Sequence, residues 1–451
     1  MRETRSVKEK VRQFLIIFLP IFITQLSLMA TGFFDTVMSG RVSHYDLAGV
    51  AIGANLWMPV FTGIGGVLAG LTPILAQLHG AGRKQEMPFL LIQSMYLAMA
   101  LAGLVIAGGS AVLAPLLGTM KLEPSVEDIA YRFLAALAAG VLPLFVSAVC
   151  RNFIDALGYT RITMGITLCA VPINIALNYL LIFGYYGFPR LGGAGAGYAS
   201  AITYWCLALI SMAVLHWLPP FKEYRVFASL PGIALKTWRE LLTVGLPIGL
   251  AIFCEVSIFG VVALLMAEYG TAVIAAHQAA INFAGLVYMV PLSIGMTLTI
   301  VIGFEVGARR YHDAAVYSKL GIGIALTIAS FFAVGLFAFS RQIAGLYTQE
   351  QGVLELVRNF LFYAVFFQLS DAIAAPIQGA LRGYKDVRVT FLMAVLSYWV
   401  IGMPVGYLLA KYTALAAYGY WVGFIAGLAV GAVVLLLRLI RLQRKVTQRR
   451  N

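Results

Sequence analysis

Three carboxylates lie inside long apolar stretches of this 451-residue chain, where a charged group is costly. Asp371 is in the middle of the run YAVFFQLSDAIAAP and has no Lys or Arg within ten residues on either side. Glu255 lies in the middle of a similar run, and Asp35 lies near the end of the first one. A charge at the centre of a bilayer costs about 2.5 to 3.5 kcal/mol or more, so residues of this kind are paired or functional.

These acids predict a site for cations. No Lys or Arg lies deep in any apolar run, although the whole chain has a net charge of +13. Acids without fixed counter-charges bind protons, metal cations or cationic ligands, which are the requirements of cation-coupled transport. For Asp35 a second interpretation stays open, in which it caps its helix or faces water. Phe367, one turn before Asp371, either stabilises a cation with its ring face or serves packing alone.

Side-chain amides accompany the acids in two pairs with helical spacing. Asn174 and Asn178 are four residues apart, as are Gln278 and Asn282, so each pair shares one helix face. Amide oxygens are suitable ligands for sodium, and amides also hydrogen-bond to carboxylates. Hydrogen bonding between neighbouring helices is the alternative role for these amides.

The elements that carry these residues are membrane-spanning helices. The chain is 61% hydrophobic and only 11% charged, whereas soluble domains are about a quarter charged. Twelve runs are long and apolar enough to span a bilayer, which requires about 20 residues each. This composition argues against a water-soluble enzyme, a secreted disulfide-rich protein and a disordered chain. The predicted fold class is an all-α integral membrane protein with twelve transmembrane helices.

The positions of the basic residues predict how the helices are oriented. With the N-terminus in the cytoplasm, 25 of the 32 Lys and Arg residues fall on the cytoplasmic side, as the positive-inside rule requires. Both termini of this multi-pass protein of the cell or inner membrane are therefore expected in the cytoplasm. The basic tail RLIRLQRKVTQRRN is interpreted as contacting anionic lipid and not nucleic acid.

The sequence lacks the motifs of the common catalytic and cofactor sites. It has no GK dipeptide of a phosphate-binding loop, no HExxH zinc motif and no CxxC pair among its four cysteines. We therefore expect no enzymatic activity and no cofactor apart from a transported coupling ion.

The two halves of the chain are related by an internal repeat. When the chain is aligned with itself, Leu19-Pro20-Ile21 coincides with Leu246-Pro247-Ile248, and the match continues without a gap over a long stretch. Each half contains six spans, so both halves enter the membrane in the same direction and form two pseudo-symmetric six-helix lobes. The predicted boundaries are an N-terminal lobe of residues 1–217, a cytoplasmic linker of residues 218–240 and a C-terminal lobe of residues 241–451. A repeat of this kind is typical of secondary transporters.

Six short motifs occur in order along nearly the whole chain. They are Gly32 to Gly40 (GFFDTVMSG), Leu71-Thr72-Pro73 with Ala76-Gln77, Pro247-Ile248 with Glu255, Ala276-His277-Gln278 with Asn282, Ser370-Asp371, and Leu381 to Asp386 (LRGYKD). With these motifs the chain resembles the MATE family of multidrug and toxin extrusion transporters, in particular its NorM-like branch. The resemblance implies two six-helix lobes and the export of cationic, lipophilic drugs and dyes against inward-moving sodium or protons.

The resemblance also implies where cations bind. It assigns a second-lobe site to Glu255 and Asp371, as possible Na⁺ ligands, and a first-lobe site to Asp35, Asn174, Asn178 and Ser200. Two positions depart from the family pattern. Phe367 stands where NorM-like proteins often have Tyr, and Asn178 stands where proton-coupled archaeal relatives carry an acid, which favours sodium.

The expected partners are small cationic organic molecules, a monovalent cation and the lipid bilayer, with the chain acting as a monomer and without nucleic acid. A flippase for a lipid-linked or amphipathic substrate is the alternative function. A substrate with a pyrophosphate group would favour a basic cavity, and the lack of Lys and Arg deep in the spans argues against it.

Overall fold

The computed structural model describes residues 1 and 3–448, and every regular element in this part of the chain is a helix. The end of the basic tail, residues 449–451, lies outside the described residues. One element is a π-helix, Val395–Gly402, which begins directly after Ala394 and ends directly before Met403. The α-helices are α1 (Val7–Gly40), α2 (His44–Ala69), α3 (Leu71–Gly80), α4 (Met87–Thr119), α5 (Pro124–Ala138), α6 (Val141–Ala156), α7 (Thr160–Phe183), α8 (Gly193–Trp217), α9 (Leu235–Met266), α10 (Thr271–Gly307), α11 (Tyr311–Gly345), α12 (Gln351–Gly383), α13 (Val387–Ala394), α14 (Met403–Tyr412) and α15 (Tyr418–Gln448).

The helices confirm the predicted fold class. In the described residues, 11 helical stretches are long and apolar enough to cross a membrane. The helices α5 and α6, with a bend of 51° between them, pass the same test as a pair, so the total is 11, or the predicted twelve if this pair is one span. The bend lies next to Gly140, which approaches Ala201 of α8 so closely that a side chain on Gly140 would clash with the Ala201 backbone.

Contacts divide the chain into two units. One unit contains residues 19–249, and the other contains residues 1–18 together with residues 250–451. Both α1 and α9 are therefore shared between the units, and each is divided close to the proline that the repeat aligns, Pro20 or Pro247. The division falls at different residues from the lobes expected from the repeat, 1–217 and 241–451, whose boundaries stay a prediction.

A buried ion pair holds the first residues of the chain to α11. Lys10 is 4% exposed, and its Nζ lies 2.9 Å from Oδ1 of Asp313 and donates to the carbonyl oxygen of Thr4 at 2.8 Å. The hydroxyl of Tyr317, also on α11, accepts a hydrogen bond from the side-chain amide of Gln13 at 3.1 Å. These contacts explain why residues 1–18 belong to the unit that contains α11.

The segment before α9 is fixed in the same way within residues 19–249. The side-chain amide of Gln93 in α4 donates to the carbonyl oxygen of Gly232 (2.8 Å), and its oxygen accepts from the backbone N–H of Ala234 (2.9 Å). Further along α9, the backbone of Gly245 lies directly against Val67 of α2, where a side chain on Gly245 would clash with the Val67 carbonyl oxygen. Close approach of small residues is a common way for membrane helices to associate.

Replacing Gly245 with Ala tests this close approach. The added methyl group is expected to force α9 and α2 apart and to destabilise the fold by about 1 to 3 kcal/mol. Gly103→Ala is the matched control, because no atom of the described residues lies within 4 Å of a Cβ at that position, apart from the helix itself and the chain neighbours. Thermal melting of the purified proteins in detergent would compare them, and equal melting temperatures for the two variants would contradict the proposed packing constraint.

Candidate functional site

Asp35 of α1 is the centre of a buried polar cluster in the unit of residues 19–249. Its Oδ1 accepts hydrogen bonds from the side-chain amides of Asn178 (2.7 Å) and Asn174 (3.1 Å), and its Oδ2 accepts one from the hydroxyl of Ser200 (2.6 Å). Asp35 is only 8% exposed, so it does not face water as one interpretation had it. The structure thus brings together the four residues of the first-lobe site, whose role in binding cations stays a prediction.

Three helices position this cluster. Asn174 and Asn178 are one turn apart on α7, and the Asn178 amide also donates to the side-chain oxygen of Asn174 at 3.1 Å. Ser200 lies on α8, the start of which is held by Asp46 of α2. The Asp46 carboxylate accepts a hydrogen bond from the backbone N–H of Gly193 at 2.6 Å and so fixes the first turn of α8.

One acceptor of the cluster is free. The side-chain oxygen of Asn178 is buried and has no hydrogen-bond partner among the described residues. Buried polar atoms are nearly always hydrogen-bonded, so an exception calls for an explanation such as an ion or water. Together with the carboxylate of Asp35, this amide oxygen provides the kind of oxygen ligand that a monovalent cation needs.

Glu255 of α9 and Asp371 of α12 form a second acidic site, in the unit of residues 1–18 and 250–451. Their negative charges are close enough to repel each other. The hydroxyl of Tyr288 in α10 donates a hydrogen bond to Oε1 of Glu255 at 3.3 Å. Arg382, in the last turn of α12, attracts Glu255 and is an internal counter-charge for it. The position of Arg382 near the end of a span had not indicated this proximity.

Asp371 differs from both other acids in the lack of any donor. It is 3% exposed, and among the described residues no group hydrogen-bonds to its carboxylate. The charge that acts on it in this part of the chain is that of Glu255, which has the same sign. A buried carboxylate in these surroundings is stable only if it takes up a proton or a cation.

Two tyrosines beside Glu255 were not recognised from the sequence. Tyr288 donates to Glu255, and the hydroxyl of Tyr398, which is only 2% exposed, also lies beside it. The internal repeat contained an indication that Tyr288 belongs with Glu255. The alignment of the two halves places Glu255 on Leu28 and Tyr288 on Phe61, so the acid and the hydroxyl occur together in one half of the chain and are both missing from the other.

Three further predicted site residues have environments that differ from those of the acids. Gln278 and Asn282 are exposed on α10, and within the described residues neither amide hydrogen-bonds to another helix. Phe367 is buried, and its ring makes edge contacts with Phe259 (5.9 Å between ring centroids) and Trp421 (6.0 Å). These contacts are consistent with the packing interpretation of Phe367, and a role of the three residues in binding stays a prediction.

No group of three or more His, Cys, Asp or Glu residues that could hold a metal ion occurs in the described part of the chain. The two acidic sites are therefore unlike the clusters that bind zinc or other transition metals. The oxygens at the two sites belong to carboxylate, amide and hydroxyl groups, which suit protons and hard cations such as sodium.

Comparison with known sequences gives the same family in both halves of the chain. The family model described as MatE matches residues 20–180 and 247–408. A protein of Bacillus licheniformis described as "Probable multidrug resistance protein NorM" is 55% identical over 445 residues, which cover 99% of this chain and 98% of the relative. A Bacillus subtilis protein with the same description is 53% identical over 451 residues, which cover both chains completely.

Solved structures agree in fold. The crystal structure of the eukaryotic MATE transporter AtDTX14 is similar with a TM-score of 0.86 and 18% identity, and the match covers 98% of this chain and 99% of that one. The Vibrio cholerae MATE transporter VcmN in its bent form is similar with a TM-score of 0.86 and 18% identity, and the match covers 98% of each chain. At this identity the similarity shows the fold alone.

The hydrogen bonds to Asp35 can be tested with Ser200→Ala. Loss of a hydrogen bond to a buried charge is expected to lower the free energy of unfolding by about 1.5 to 3 kcal/mol. The effect should be much smaller in an Asp35→Asn background, and thermal unfolding of the single and double variants measures the coupling. Ser110→Ala is the control, because the exposed Ser110 hydroxyl donates to the carbonyl oxygen of Ala107 in its own helix. Equal effects of Ser200→Ala in both backgrounds would contradict the assignment.

Proposed function

The chain belongs to the MATE family of membrane transporters, and on this premise we propose that it is a secondary active exporter of cationic, lipophilic organic molecules. A transporter and not an enzyme, it exchanges its substrate for an inward-moving monovalent cation. The proposed exchange needs no cofactor other than the coupling ion. The relatives from the two Bacillus species are described as probable multidrug resistance proteins, which supports drugs and dyes as the substrate class.

The observation that carries the proposal is the buried position of the Asp371 carboxylate without a hydrogen-bond donor in the described part of the chain. Its carboxylate is buried, lacks a donor among the described residues and lies near Glu255, a second acid. Such a pair is stable only with a proton or a cation bound. The site is therefore expected to hold a positive charge in each stable state of the transporter. A drug cation and a small cation are the two candidates to neutralise it, and exchange by competition follows from this requirement.

The mechanism requires only that the two ligands bind the two states of the transporter differently. In the state open to the cytoplasm, the drug cation neutralises the acids. In the state open to the outside, the coupling ion replaces the drug, and its return to the cytoplasm resets the site. One charge that crosses 100 mV provides about 2.3 kcal/mol, which is sufficient for a useful accumulation ratio with a single ion.

We assign sodium as the coupling ion. The first-lobe cluster offers one carboxylate among amide and hydroxyl groups, and α7 has Asn178 in place of a second acid. A single acid with a free amide oxygen favours a cation that is bound by several neutral oxygens over a proton that is shared by two carboxylates. In the second lobe, Glu255, Asp371 and the Tyr288 hydroxyl supply the oxygen ligands.

The proposed setting is the cell or inner membrane, with both termini in the cytoplasm and the chain active as a monomer. The excess of Lys and Arg on one side of the spans supports this orientation. The amphipathic drugs would approach from the cytoplasm or the bilayer, and a binding region with few directional contacts would accept a range of them.

Asp371→Asn tests the role of the unpaired acid. The variant is expected to fold normally, because an uncompensated buried charge is replaced with a neutral group, but to lose dye export driven by an ion gradient. Dye transport into proteoliposomes of defined orientation measures this. Glu355→Gln on the same helix is the control, because Glu355 is exposed and forms an ion pair with Arg358, three residues later on the same helix. Export at the wild-type rate by Asp371→Asn would refute the role of Asp371.

The coupling ion is identified by imposing one gradient at a time. Proteoliposomes with a sodium gradient at equal pH are expected to accumulate dye, whereas a pH gradient at equal sodium is expected to drive little or none. Empty liposomes correct for passive dye movement. Transport that follows the pH gradient alone would replace sodium with protons and leave the exchange itself in place.

A further inference from the structure

The π-helix Val395–Gly402 marks an irregularity between the two halves of the chain. Upstream of it, the alignment of the halves pairs Thr163 with Thr390, and each threonine hydroxyl donates to the carbonyl oxygen three residues earlier. Downstream of it, Tyr179 pairs with Tyr407, and this pairing needs an offset that is longer by one residue. The C-terminal half therefore has one extra residue in this span, and the helix accommodates it by widening from α to π geometry.

The wide helix segment fits against α15 because α15 has glycines there. A side chain on Gly427 would clash with the carbonyl oxygen of Ser397, and one on Gly423 would clash with the carbonyl oxygen of Gly402. A side chain on Gly431 would clash with the hydroxyl oxygen of Ser397. The glycine stripe of α15 therefore receives the bulging backbone of the π-helix and fixes its rotation.

The opposite side of the π-helix contacts α9 at the acidic site. The indole N–H of Trp399 donates to the carbonyl oxygen of Cys254 at 3.1 Å. The ring of Tyr398 lies 6.3 Å from the ring of Phe259, which is one turn after Glu255 on α9. Two consecutive residues of the π-helix thus contact the part of α9 that carries Glu255. Removal of the extra residue would turn the helix by about 100° per residue and move the Tyr398 hydroxyl away from Glu255.

We propose that Tyr398 is a positioning residue of the Glu255–Asp371 cation site and that the π-helix holds its hydroxyl there. The inference rests on the proposed function, because it concerns the affinity of that site for the coupling cation. Tyr288 and Tyr398 approach Glu255 from α10 and from the π-helix, and together they orient a carboxylate that has the repelling charge of Asp371 on another side. Loss of the Tyr398 hydroxyl leaves Glu255 less well oriented for the cation.

Tyr398→Phe is the direct test. The sodium concentration that gives half-maximal dye export is expected to rise about two- to tenfold, as for the loss of one hydrogen-bonding group. The maximal rate at saturating sodium and the dye concentration for half-maximal export are expected to stay near wild type. Tyr407→Phe on α14 is the matched control, because it removes an exposed hydroxyl from the same span. A sodium titration of the melting temperature in detergent, with choline chloride at constant ionic strength, provides a readout that needs no transport.

Gly427→Ala is a second test of the position of Tyr398. The added methyl group is expected to displace Ser397 and the π-helix, and so to weaken the sodium dependence in the same direction as Tyr398→Phe without touching the acids. Gly335→Ala is its control, because a Cβ at Gly335 would meet no neighbouring helix within 4 Å in the part of the chain that the structure describes. If Gly427→Ala does not fold, the test depends on Tyr398→Phe alone.

The outcomes separate this inference from the proposed function. A wild-type protein that exports dye with a sodium gradient, together with a Tyr398→Phe variant of unchanged sodium dependence, would overturn the role of Tyr398 and leave the exchange intact. A lower melting temperature of Tyr398→Phe with an unchanged sodium titration would mean that Tyr398 serves packing alone. If the wild type shows no sodium dependence in either assay, the sodium assignment fails first; the same titration is then made with protons, and an unchanged proton dependence of Tyr398→Phe would overturn the inference.

Discussion

Both acidic sites depend on one constraint: a negative charge buried among apolar helices costs free energy that donors or positive charges must offset. Asp35 meets it in part, with three hydrogen-bond donors from α7 and α8. Glu255 meets it in part, with a tyrosine hydroxyl and the charge of Arg382. Asp371 does not meet it with any described donor. The three acids therefore differ in how much they depend on an external cation, and Asp371 depends on it most.

Close approach of helices is the means by which these side chains are held in place. Gly245 allows α9 to lie directly on α2, and the glycines of α15 allow the π-helix to lie directly on α15. Helices that touch through their backbones leave little freedom for rotation, because a turn of either helix would bring a side chain into the other. The polar groups on the opposite faces, such as Tyr398, therefore have fixed positions. A site with few ligands needs this, because each ligand must be held in the correct geometry.

Much of the fold and part of the sites could be predicted from the chain alone. Runs without charges predict spans because a bilayer excludes charge, and the acids in those runs stand out for the same reason. Tyr288, Tyr398 and Arg382 were missed because tyrosines are common in membrane helices and an arginine near the end of a span is expected to face water. Gln278 and Asn282 were included because they share a helix face, yet that face is exposed. Spacing along one helix shows which residues lie together, and not which neighbour they meet.

By itself, the sequence determined the membrane-spanning class, the apolar helices, the internal repeat and the acids that lie within the spans, because each follows from local composition or from comparison of the chain with itself. Only the tertiary structure decided which acid is compensated, since this depends on donors that are 139 to 165 residues away along the chain from Asp35. It also decided that one extra residue in the C-terminal half becomes a π-helix between α9 and α15. The physical reason is that charge compensation and helix rotation are set by contacts between distant segments, which a linear pattern does not contain.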